Sequence, residues 1–237
     1  MREEQGRGCR SARTYCVIKK AQGSLKSRPL PTIIADVSRL IASGKKYIRL
    51  VSSDCGCYGQ DIDSDIVELL KQIFELPGEY KILLKDFNPK WLIEYKAQLL
   101  PLFREHQTKV QVLEVPLQSG SQKIISKMRR NHDIAEAIDT LTLLKEEAES
   151  IRITTQLMVG FPSETYQDFR STKRLLSSGL FYHVTCYSFD PRNGTSASDM
   201  KEQVPDRIKR RRFNCLHYEA TKIDYVNARK DKIRYLI

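Results

Sequence analysis

Short apolar runs alternate with amphipathic stretches along almost the whole chain. Five runs have the length of strands and lie at residues 46–53, 80–87, 109–117, 151–161 and 182–190. Between them lie stretches with apolar residues three or four positions apart, such as residues 61–78 and 133–149. Strands that alternate with helices of this length are typical of a parallel sheet with helical crossovers. The pattern predicts an α/β fold, and chain order leaves an open sheet and a barrel as alternatives.

Most of the segments that follow these strands are rich in glycine, serine, aspartate or proline. They read "SSDCGCYGQD", "KDFNPK", "PLQSGS", "GFPSET" and "DPRNGT". In a barrel and in an open parallel sheet alike, such loops meet at the carboxyl ends of the strands, where ligands bind. We therefore expect the functional residues in these loops and in the cysteine-bearing segment before the first long helix.

Length and composition narrow the class of protein. The 237 residues suffice for one large domain with a buried core. No apolar run reaches the roughly 18 residues of a membrane span. The first residues, "MREEQGRG", lack the apolar centre of a secretory signal. We expect a cytoplasmic monomer that does not associate with membranes.

The chain is strongly basic, with a formal net charge of +11. An excess of this size favours an anionic partner, most commonly nucleic acid. Part of it lies in one run near the carboxyl end, formed by Arg207, Lys209, Arg210, Arg211 and Arg212. The run is either a phosphate-binding surface or a solvated helix face.

Two of the six cysteines flank a short segment near the start, "GCRSARTYC", from Gly8 to Cys16. Six cysteines are too few for a disulfide framework at this length, so clustered thiols here indicate metal or redox chemistry. Cys9, Arg13 and Cys16 follow the three-then-two spacing of a three-cysteine cluster loop, with arginine in the middle. Arginine stays charged and has no lone pair for a metal.

Seven segments in register carry a resemblance to a known family. They are "GCRSARTYC", "KSRP", "DCGCYGQD", "NPKWL", "VPLQSGSQKIISKMRRNHD", "MVGFPSETYQDF" and "DPRNGTSASDM". From about Gly8 to Pro205 the chain resembles the radical S-adenosylmethionine (radical SAM) methylthiotransferases, which act on transfer RNA (tRNA) or a ribosomal protein. The "DCGCYGQD" and "NPKW" segments look closest to the branch that modifies N6-threonylcarbamoyladenosine at position 37 of tRNA.

The resemblance implies a partial (β/α)6 TIM-like barrel of six strands and six helices. Residues 1–205 would form the radical SAM core, and residues 206–237 a basic helical segment leading to a truncated RNA-binding β-domain at "KIRYLI". The family's amino-terminal cluster-bearing domain would lie outside this sequence. No apolar run precedes Cys9, so we expect the first barrel strand to be missing or truncated.

The resemblance also implies two cofactors, a [4Fe–4S] cluster and S-adenosylmethionine. Cys9 and Cys16 match two of the three cluster ligands, and Arg13 stands at the other. The residues implied for S-adenosylmethionine are Tyr15, Asp54, Gln118, Ser119, Gly160 and Pro191. Their alternative roles are packing for Tyr15 and satisfying backbone groups for Gln118 and Ser119. His132 is either a base or a residue at a helix junction.

Three functions remain open at this point. One is a tRNA methylthiotransferase, with tRNA as partner. Another is a domain whose incomplete cluster site leaves it inactive. The third is a radical SAM enzyme of another reaction type, such as one that modifies a small molecule. Methylthiolation of a ribosomal protein is an alternative to the first, because that branch shares part of the "DCGCYGQD" and "NPKW" pattern. Cys55 or Cys57, which should lie on the same rim as Cys9, could supply a replacement ligand.

Overall fold

A six-stranded parallel sheet forms the centre of the computed structural model, which describes residues 1–234. Its strands follow one another across the sheet in the order in which they occur in the chain. Their ranges are β1 (Arg2–Glu4), β4 (Tyr47–Val51), β5 (Lys81–Leu84), β6 (Val110–Glu114), β7 (Arg152–Val159) and β8 (His183–Ser188). A separate antiparallel pair joins β2 (Gly6–Arg7) to β3 (Lys26–Ser27).

Nine helices connect and flank these strands within the described residues. They are α1 (Ile18–Gln22), α2 (Leu30–Ala42), α3 (Ile66–Glu75), α4 (Pro89–Glu94), α5 (Lys96–Glu105), α6 (Gln122–Lys127), α7 (Ile134–Glu147), α8 (Tyr166–Leu176) and α9 (Asp206–Arg234). The amphipathic stretch after β5 forms two helices, α4 and α5, which meet at Tyr95.

Helix α3 shows how the sequence produces these elements. The Asp65 side chain caps it by accepting a hydrogen bond from the Glu68 backbone N–H at 2.9 Å. Ile66, Leu69 and Ile73 lie on one face and are fully buried in the main core. Burial of a side chain of this size contributes roughly 1.5–3 kcal/mol, so the apolar stripe, more than helix propensity, fixes the helix against the sheet.

The sheet is open rather than closed. Strands β1 and β8 are its two edges in the described part of the chain, and each of its neighbouring pairs is parallel. The α/β prediction is confirmed, and the six parallel strands follow one another in chain order without closing into a ring, as in the partial (β/α)6 barrel that the resemblance implies. The carboxyl ends of its strands meet along one rim, as predicted for the loops.

A strand precedes Cys9 within "MREEQGRG", so of the two alternatives for the first barrel strand, missing or truncated, the structure has the truncated one. Strand β1 pairs in parallel with β4, and Glu3 lies opposite Leu50. It has three residues and is therefore short, as the expectation of a truncated strand allowed. A polar strand can lie in the sheet here because the Glu3 carboxylate, only 7% exposed, is neutralised by an ion pair with Arg28.

Helix α9 packs along β8 and α8 and turns part of the basic run inward. Lys209 is buried, with its ammonium 5.7 Å from the centre of the Phe189 ring. Arg212 makes an ion pair of 2.6 Å with the fully buried side chain of Glu164. Arg207, Arg210 and Arg211 remain exposed. Two side chains of the basic run therefore pack inside the protein and three lie on its surface, which the sequence did not predict.

Two further predictions concern the whole chain. The helical segment from residue 206 is present as α9, whereas the β-domain expected from "KIRYLI" reaches residues 235–237, which lie outside the described residues. Across residues 1–234, no helix is long and apolar enough to cross a membrane.

Asp168 joins the start of α8 to the start of α6, and its replacement by asparagine is expected to destabilise the protein. Its carboxylate accepts hydrogen bonds from the Thr165 backbone N–H at 2.8 Å, Ser121 Oγ at 2.7 Å and Lys123 Nζ at 2.9 Å. Burial alone would raise the pKa of Asp168, but these donors hold it well below its ordinary value. We expect Asp168→Asn to cost about 2–3 kcal/mol at pH 7 in urea unfolding.

The sign of this effect with pH follows from the lowered pKa. A carboxyl whose pKa is lower in the folded state contributes stability above its unfolded pKa, roughly 3.9, and loses it as pH falls. The difference between wild type and Asp168→Asn should therefore shrink below about pH 4. A difference that stays constant down to pH 2.5 would show that the carboxylate charge is not what matters.

Candidate functional site

The cysteine-bearing loop, residues 8–16, lies at the carboxyl end of β1. Gly8 has φ +76°, and a Cβ there would lie 2.0 Å from the Ser24 carbonyl oxygen, so glycine is required. Thr14 anchors the far end of the loop, because its backbone N–H donates to the Met128 carbonyl oxygen at 3.2 Å. Cys9 is buried and Cys16 half-buried. The loop is thus held on both sides of Arg13.

Arg13 points into the protein and forms an ion pair with Asp54. Its Nη2 donates to Asp54 Oδ2 at 3.1 Å, and the side chains of the two residues are 14% and 1% exposed. Asn88 completes the arrangement, donating from Nδ2 to the same carboxylate oxygen at 3.1 Å. Burial alone would lower the pKa of Arg13, but Asp54, together with Tyr15, Cys9 and Cys16, raises it, so the guanidinium stays charged.

These residues do not fit a [4Fe–4S] cluster bound by three thiolates. The middle ligand position holds a cation that is already engaged by a buried carboxylate. In the part of the chain that the structure describes, no three His, Cys, Asp or Glu side chains are grouped so that they could hold a metal ion. Cys9 and Cys16 remain two soft ligands where such clusters take three or four.

Cys55 and Cys57 do not repair the site. They lie in a 3-10 turn, residues 55–57, after β4, and both side chains are buried. The Cys57 thiol donates to the Asp54 carbonyl oxygen at 3.1 Å, and the Cys55 thiol lies 3.6 Å from the Leu50 carbonyl oxygen. Burial raises the pKa of both thiols, which disfavours the thiolate that iron requires. Neither joins Cys9 and Cys16 in a metal-holding group.

A cavity of about 560 Å³ opens at the carboxyl ends of the strands. Its size lies within the roughly 300–1,000 Å³ of small-molecule sites. Residues from across the sheet line it, including Tyr15, Cys16, Gln118, Gln156, Met158 and Phe189. We call it the central cavity. It brings together two of the residues predicted for S-adenosylmethionine, Tyr15 and Gln118.

Gln118 is held in an unusual backbone conformation at this cavity. Its φ is +71°, and its backbone bonds to β7 through the Gln156 carbonyl oxygen and the Met158 N–H, each at 2.8 Å. The side chain is 6% exposed, and its Oε1 has no hydrogen-bond partner among the described residues. An unpartnered buried amide oxygen beside a cavity suits a ligand that brings a donor.

The other predicted ligand-binding residues lie elsewhere. Ser119 is fully buried and bonds to Thr172 Oγ1 at 3.1 Å, which fits its alternative structural role. Gly160 faces helix α9, where a Cβ would meet Lys209 Cγ at 2.5 Å. Pro191 is exposed. Asp54 lies behind the cysteine loop with Arg13, outside the lining of the central cavity.

A polar group at the ends of β5, β6 and β7 was not predicted. Gln156 Nε2 donates to Glu114 Oε1 at 3.1 Å and lies 3.4 Å from Asp86 Oδ1. Lys85 balances Glu114 at 2.8 Å. Burial, followed by the charge of Glu114, raises the pKa of Asp86. A signal did exist in the sequence, since a carboxylate closes each of the apolar runs at β5 and β6.

His132 lies in the turn between α6 and α7 and is 8% exposed, so it is a buried junction residue. Neither ring nitrogen has a partner among the described residues. Burial, aided by the charge of Arg130, lowers the pKa of His132 to about 3. An imidazole that is held neutral stabilises the folded state above its unfolded pKa, roughly 6.5, and the stability is lost as pH falls.

We therefore expect the unfolding free energy to decline as pH is lowered from about 6.5 towards 3. His132→Asn should flatten part of this decline, because the amide does not titrate. His217→Asn, on an exposed part of α9, is the matched control and should leave the decline as in wild type. Equal profiles for wild type and His132→Asn in urea unfolding would contradict the assignment.

Comparison with known proteins gives a consistent family. The family described as "Radical SAM superfamily" matches residues 4–176. The threonylcarbamoyladenosine tRNA methylthiotransferase MtaB of Thermotoga maritima is 32% identical over 90% of this chain and 49% of its own length. The tRNA-2-methylthio-N(6)-dimethylallyladenosine synthase of Aquifex aeolicus is 32% identical over 89% of this chain and 48% of its own.

Solved structures agree with the fold. A radical S-adenosylmethionine methyltransferase, TsrM from Kitasatospora setae, superposes with a TM-score of 0.69 at 14% identity, covering 83% of this chain and 38% of that one. Methylornithine synthase (PylB) gives 0.55 at 14% identity, covering 92% of this chain and 62% of that one. The chain spans about half the length of the curated relatives that it matches.

Proposed function

Because the chain belongs to the radical SAM superfamily, we propose that it is the core domain of a tRNA methylthiotransferase-type protein that recognises a modified adenosine of tRNA. The observation that carries this proposal is the similarity to two enzymes of that kind, which extends over about nine-tenths of the chain. N6-threonylcarbamoyladenosine is the first candidate base, and N6-dimethylallyladenosine is the second.

The charge of the protein supports a nucleic-acid substrate. The net charge is +11, and Arg207, Arg210 and Arg211 lie exposed along the first turns of α9. Lysine and arginine side chains bind RNA by displacing counterions from its phosphates, so such binding weakens steeply with salt. The three arginines offer a short exposed basic row beside the buried Lys209 and Arg212.

S-adenosylmethionine is the small ligand that we propose for the central cavity. The size of the cavity suits it, and Gln118 offers an unpartnered acceptor for one of its donors. Tyr15 stands at the same wall, edge-on to Phe161 with ring centres 6.3 Å apart. Apolar side chains such as Met158 and Phe189 line the cavity beside polar and charged ones, which suits a ligand that combines a base with charged groups.

The Arg13–Asp54 ion pair favours a form of this function without the radical step. In the family that step depends on an electron from the [4Fe–4S] cluster, whose middle ligand position is filled here by a paired arginine. We therefore assign to the described residues the recognition of tRNA and S-adenosylmethionine, and no step of radical chemistry. Methylthiolation by this chain is the alternative, and the experiment below separates the two.

The test uses anticodon stem-loops with threonylcarbamoyl-, dimethylallyl- or unmodified adenosine. Binding by fluorescence anisotropy should be tightest for a modified stem-loop, weaken with salt, and weaken further in Arg210→Gln/Arg211→Gln. Glu105→Gln, on an exposed end of α5, is the surface control. Equal, salt-insensitive or absent binding would overturn the proposal.

Product analysis decides between the two forms. After anaerobic treatment with iron, sulfide, reductant and S-adenosylmethionine, the stem-loops are digested and their nucleosides measured by mass spectrometry. We expect bound but unaltered nucleosides. A methylthio nucleoside formed by the wild-type chain would establish the catalytic alternative.

A further inference from the structure

A second, smaller cavity lies behind the cysteine loop, and Arg13 lines both this cavity and the central cavity. Its volume is about 140 Å³. Five basic side chains line it, together with one acidic one: Arg10, Arg13, Lys90, Arg129, Arg130 and Asp54. We call it the basic cavity. The resemblance implies S-adenosylmethionine binding for Asp54 and a cluster-ligand position for Arg13, but it gives no role to Arg10, Lys90, Arg129 and Arg130.

Two of its cations are buried and only one of them has a counter-charge in direct contact. Arg13 is paired with Asp54. Arg130 is 4% exposed and donates to two neutral acceptors, Tyr15 Oη at 3.1 Å and the Pro116 carbonyl oxygen at 2.5 Å. Burial lowers the pKa of Arg130, and the positive charge of Arg13 adds to this effect. A buried cation without a paired anion is costly, so an anion bound at this wall would stabilise the protein.

The polar groups of the wall also lack acceptors. Arg13 Nε, Arg130 Nε and the indole Nε1 of Trp91 are buried and have no hydrogen-bond partner in the part of the chain whose side chains the structure describes. All three residues line the basic cavity. Donors without acceptors at one wall are unusual in a folded protein, since nearly all buried polar groups are satisfied.

The side chains at the mouth of the cavity are also positively charged. Arg10 and Arg129 are exposed there, and Lys90 is half-buried. Lys90 has one weak local partner, Glu94 at 3.5 Å, and Arg10 donates to the Gln60 carbonyl oxygen at 2.8 Å. An anion approaching from solvent therefore meets positive charge at the entrance and at the wall, which favours its capture.

We propose that the basic cavity is a binding site for a phosphate-type oxyanion. Its volume is well below the roughly 300–1,000 Å³ of sites for larger organic ligands, so it suits a free ion or one phosphate group of a longer chain. Guanidinium groups pair with phosphate oxygens through charge-assisted hydrogen bonds. Arg13, the residue that displaces a cluster ligand, contributes one of the two buried guanidiniums. The proposal does not rest on the function proposed above.

The first test measures inorganic phosphate with the full chain. Calorimetric titration and thermal unfolding are compared in phosphate and in chloride at equal ionic strength. We expect saturable phosphate binding and a higher Tm in phosphate. Arg129→Gln and Lys90→Gln, at the mouth, should weaken binding, and Arg130→Lys should weaken it about tenfold or more.

Arg39→Gln is the matched control, because its side chain is 75% exposed and lies on α2, outside the cavity. It should bind phosphate as wild type does. The mouth variants keep the test decisive if Arg130→Lys fails to fold. Phosphate binding that equals the chloride background, or that Arg129→Gln and Lys90→Gln leave unchanged, would overturn the proposal.

The second test distinguishes a free ion from an RNA phosphate as the source of the anion. Anisotropy of an unmodified stem-loop is measured with and without saturating inorganic phosphate. Competition at constant ionic strength, together with weaker RNA binding by Arg129→Gln, would assign the cavity to the RNA backbone. Phosphate binding without competition would assign it to a free ion. If tRNA does not bind but phosphate does, the proposed function fails and this inference stands.

Discussion

The Arg13→Cys variant should bind about four irons per chain after anaerobic reconstitution, whereas the wild-type chain should bind none stoichiometrically. The substitution supplies the third thiolate between Cys9 and Cys16 and removes the guanidinium that engages Asp54. Asp54 can tolerate the loss, because burial already raises its pKa and the carboxyl can be protonated. Iron and sulfide assays with a visible absorption spectrum measure the result.

Arg13→Ser is the matched control for this experiment. It removes the guanidinium and adds no thiol, so it should bind as little iron as wild type does. Cys57→Ala in the Arg13→Cys background should keep its iron, because the Cys57 thiol is turned to the Asp54 carbonyl oxygen. Full loading of the wild-type chain that is lost in Cys57→Ala would instead identify Cys57 as a ligand and contradict our assignment.

Asp54→Asn should lower the unfolding free energy by about 3–5 kcal/mol, the usual cost of removing one partner from a buried ion pair. The change leaves the Arg13 guanidinium buried without its counter-charge. Urea unfolding followed by circular dichroism measures the effect. Glu94→Gln, which breaks a half-exposed pair with Lys90, should cost at most about 1 kcal/mol.

A double-mutant cycle tests whether the cost arises from this pair. Asp54→Asn with Arg13→Gln removes both charges, so it should recover much of the stability lost in Asp54→Asn alone. Additive losses would show that the two residues do not interact energetically. Phosphate should also protect Asp54→Asn more than it protects wild type, because an anion in the basic cavity would replace the missing carboxylate.

The main strands and the loops at their carboxyl ends could be predicted because each depends on local pattern. Strands β4 to β8 are four to eight residues long, and each carries apolar residues that are buried in the core. Strand β1 gave no such signal, since its stability depends on Glu3 meeting Arg28, 25 residues away. Pairing over that distance leaves no trace in hydrophobic periodicity.

In the candidate site, too, local features could be predicted from the sequence, whereas contacts between distant residues could not. Arg13 could be recognised as an anomaly from its spacing, whereas its partner Asp54 lies 41 residues further along and had been assigned to ligand binding. Lys209 and Arg212 belong to a basic run, yet packing of α9 against Gly160 and Glu164 turns both inward. The amino-acid composition gives the number of charged side chains, but their exposure depends on the fold.

The open sheet has a consequence for what can enter the central cavity. Residues of both edge strands line that cavity, with Arg2 and Glu4 on one side and Tyr187 and Ser188 on the other. A closed ring of strands would admit only what passes its mouth end-on. Because the two edge strands are not paired with each other, a ligand in the cavity can also extend outward between them, so its size is not limited by the volume of the cavity.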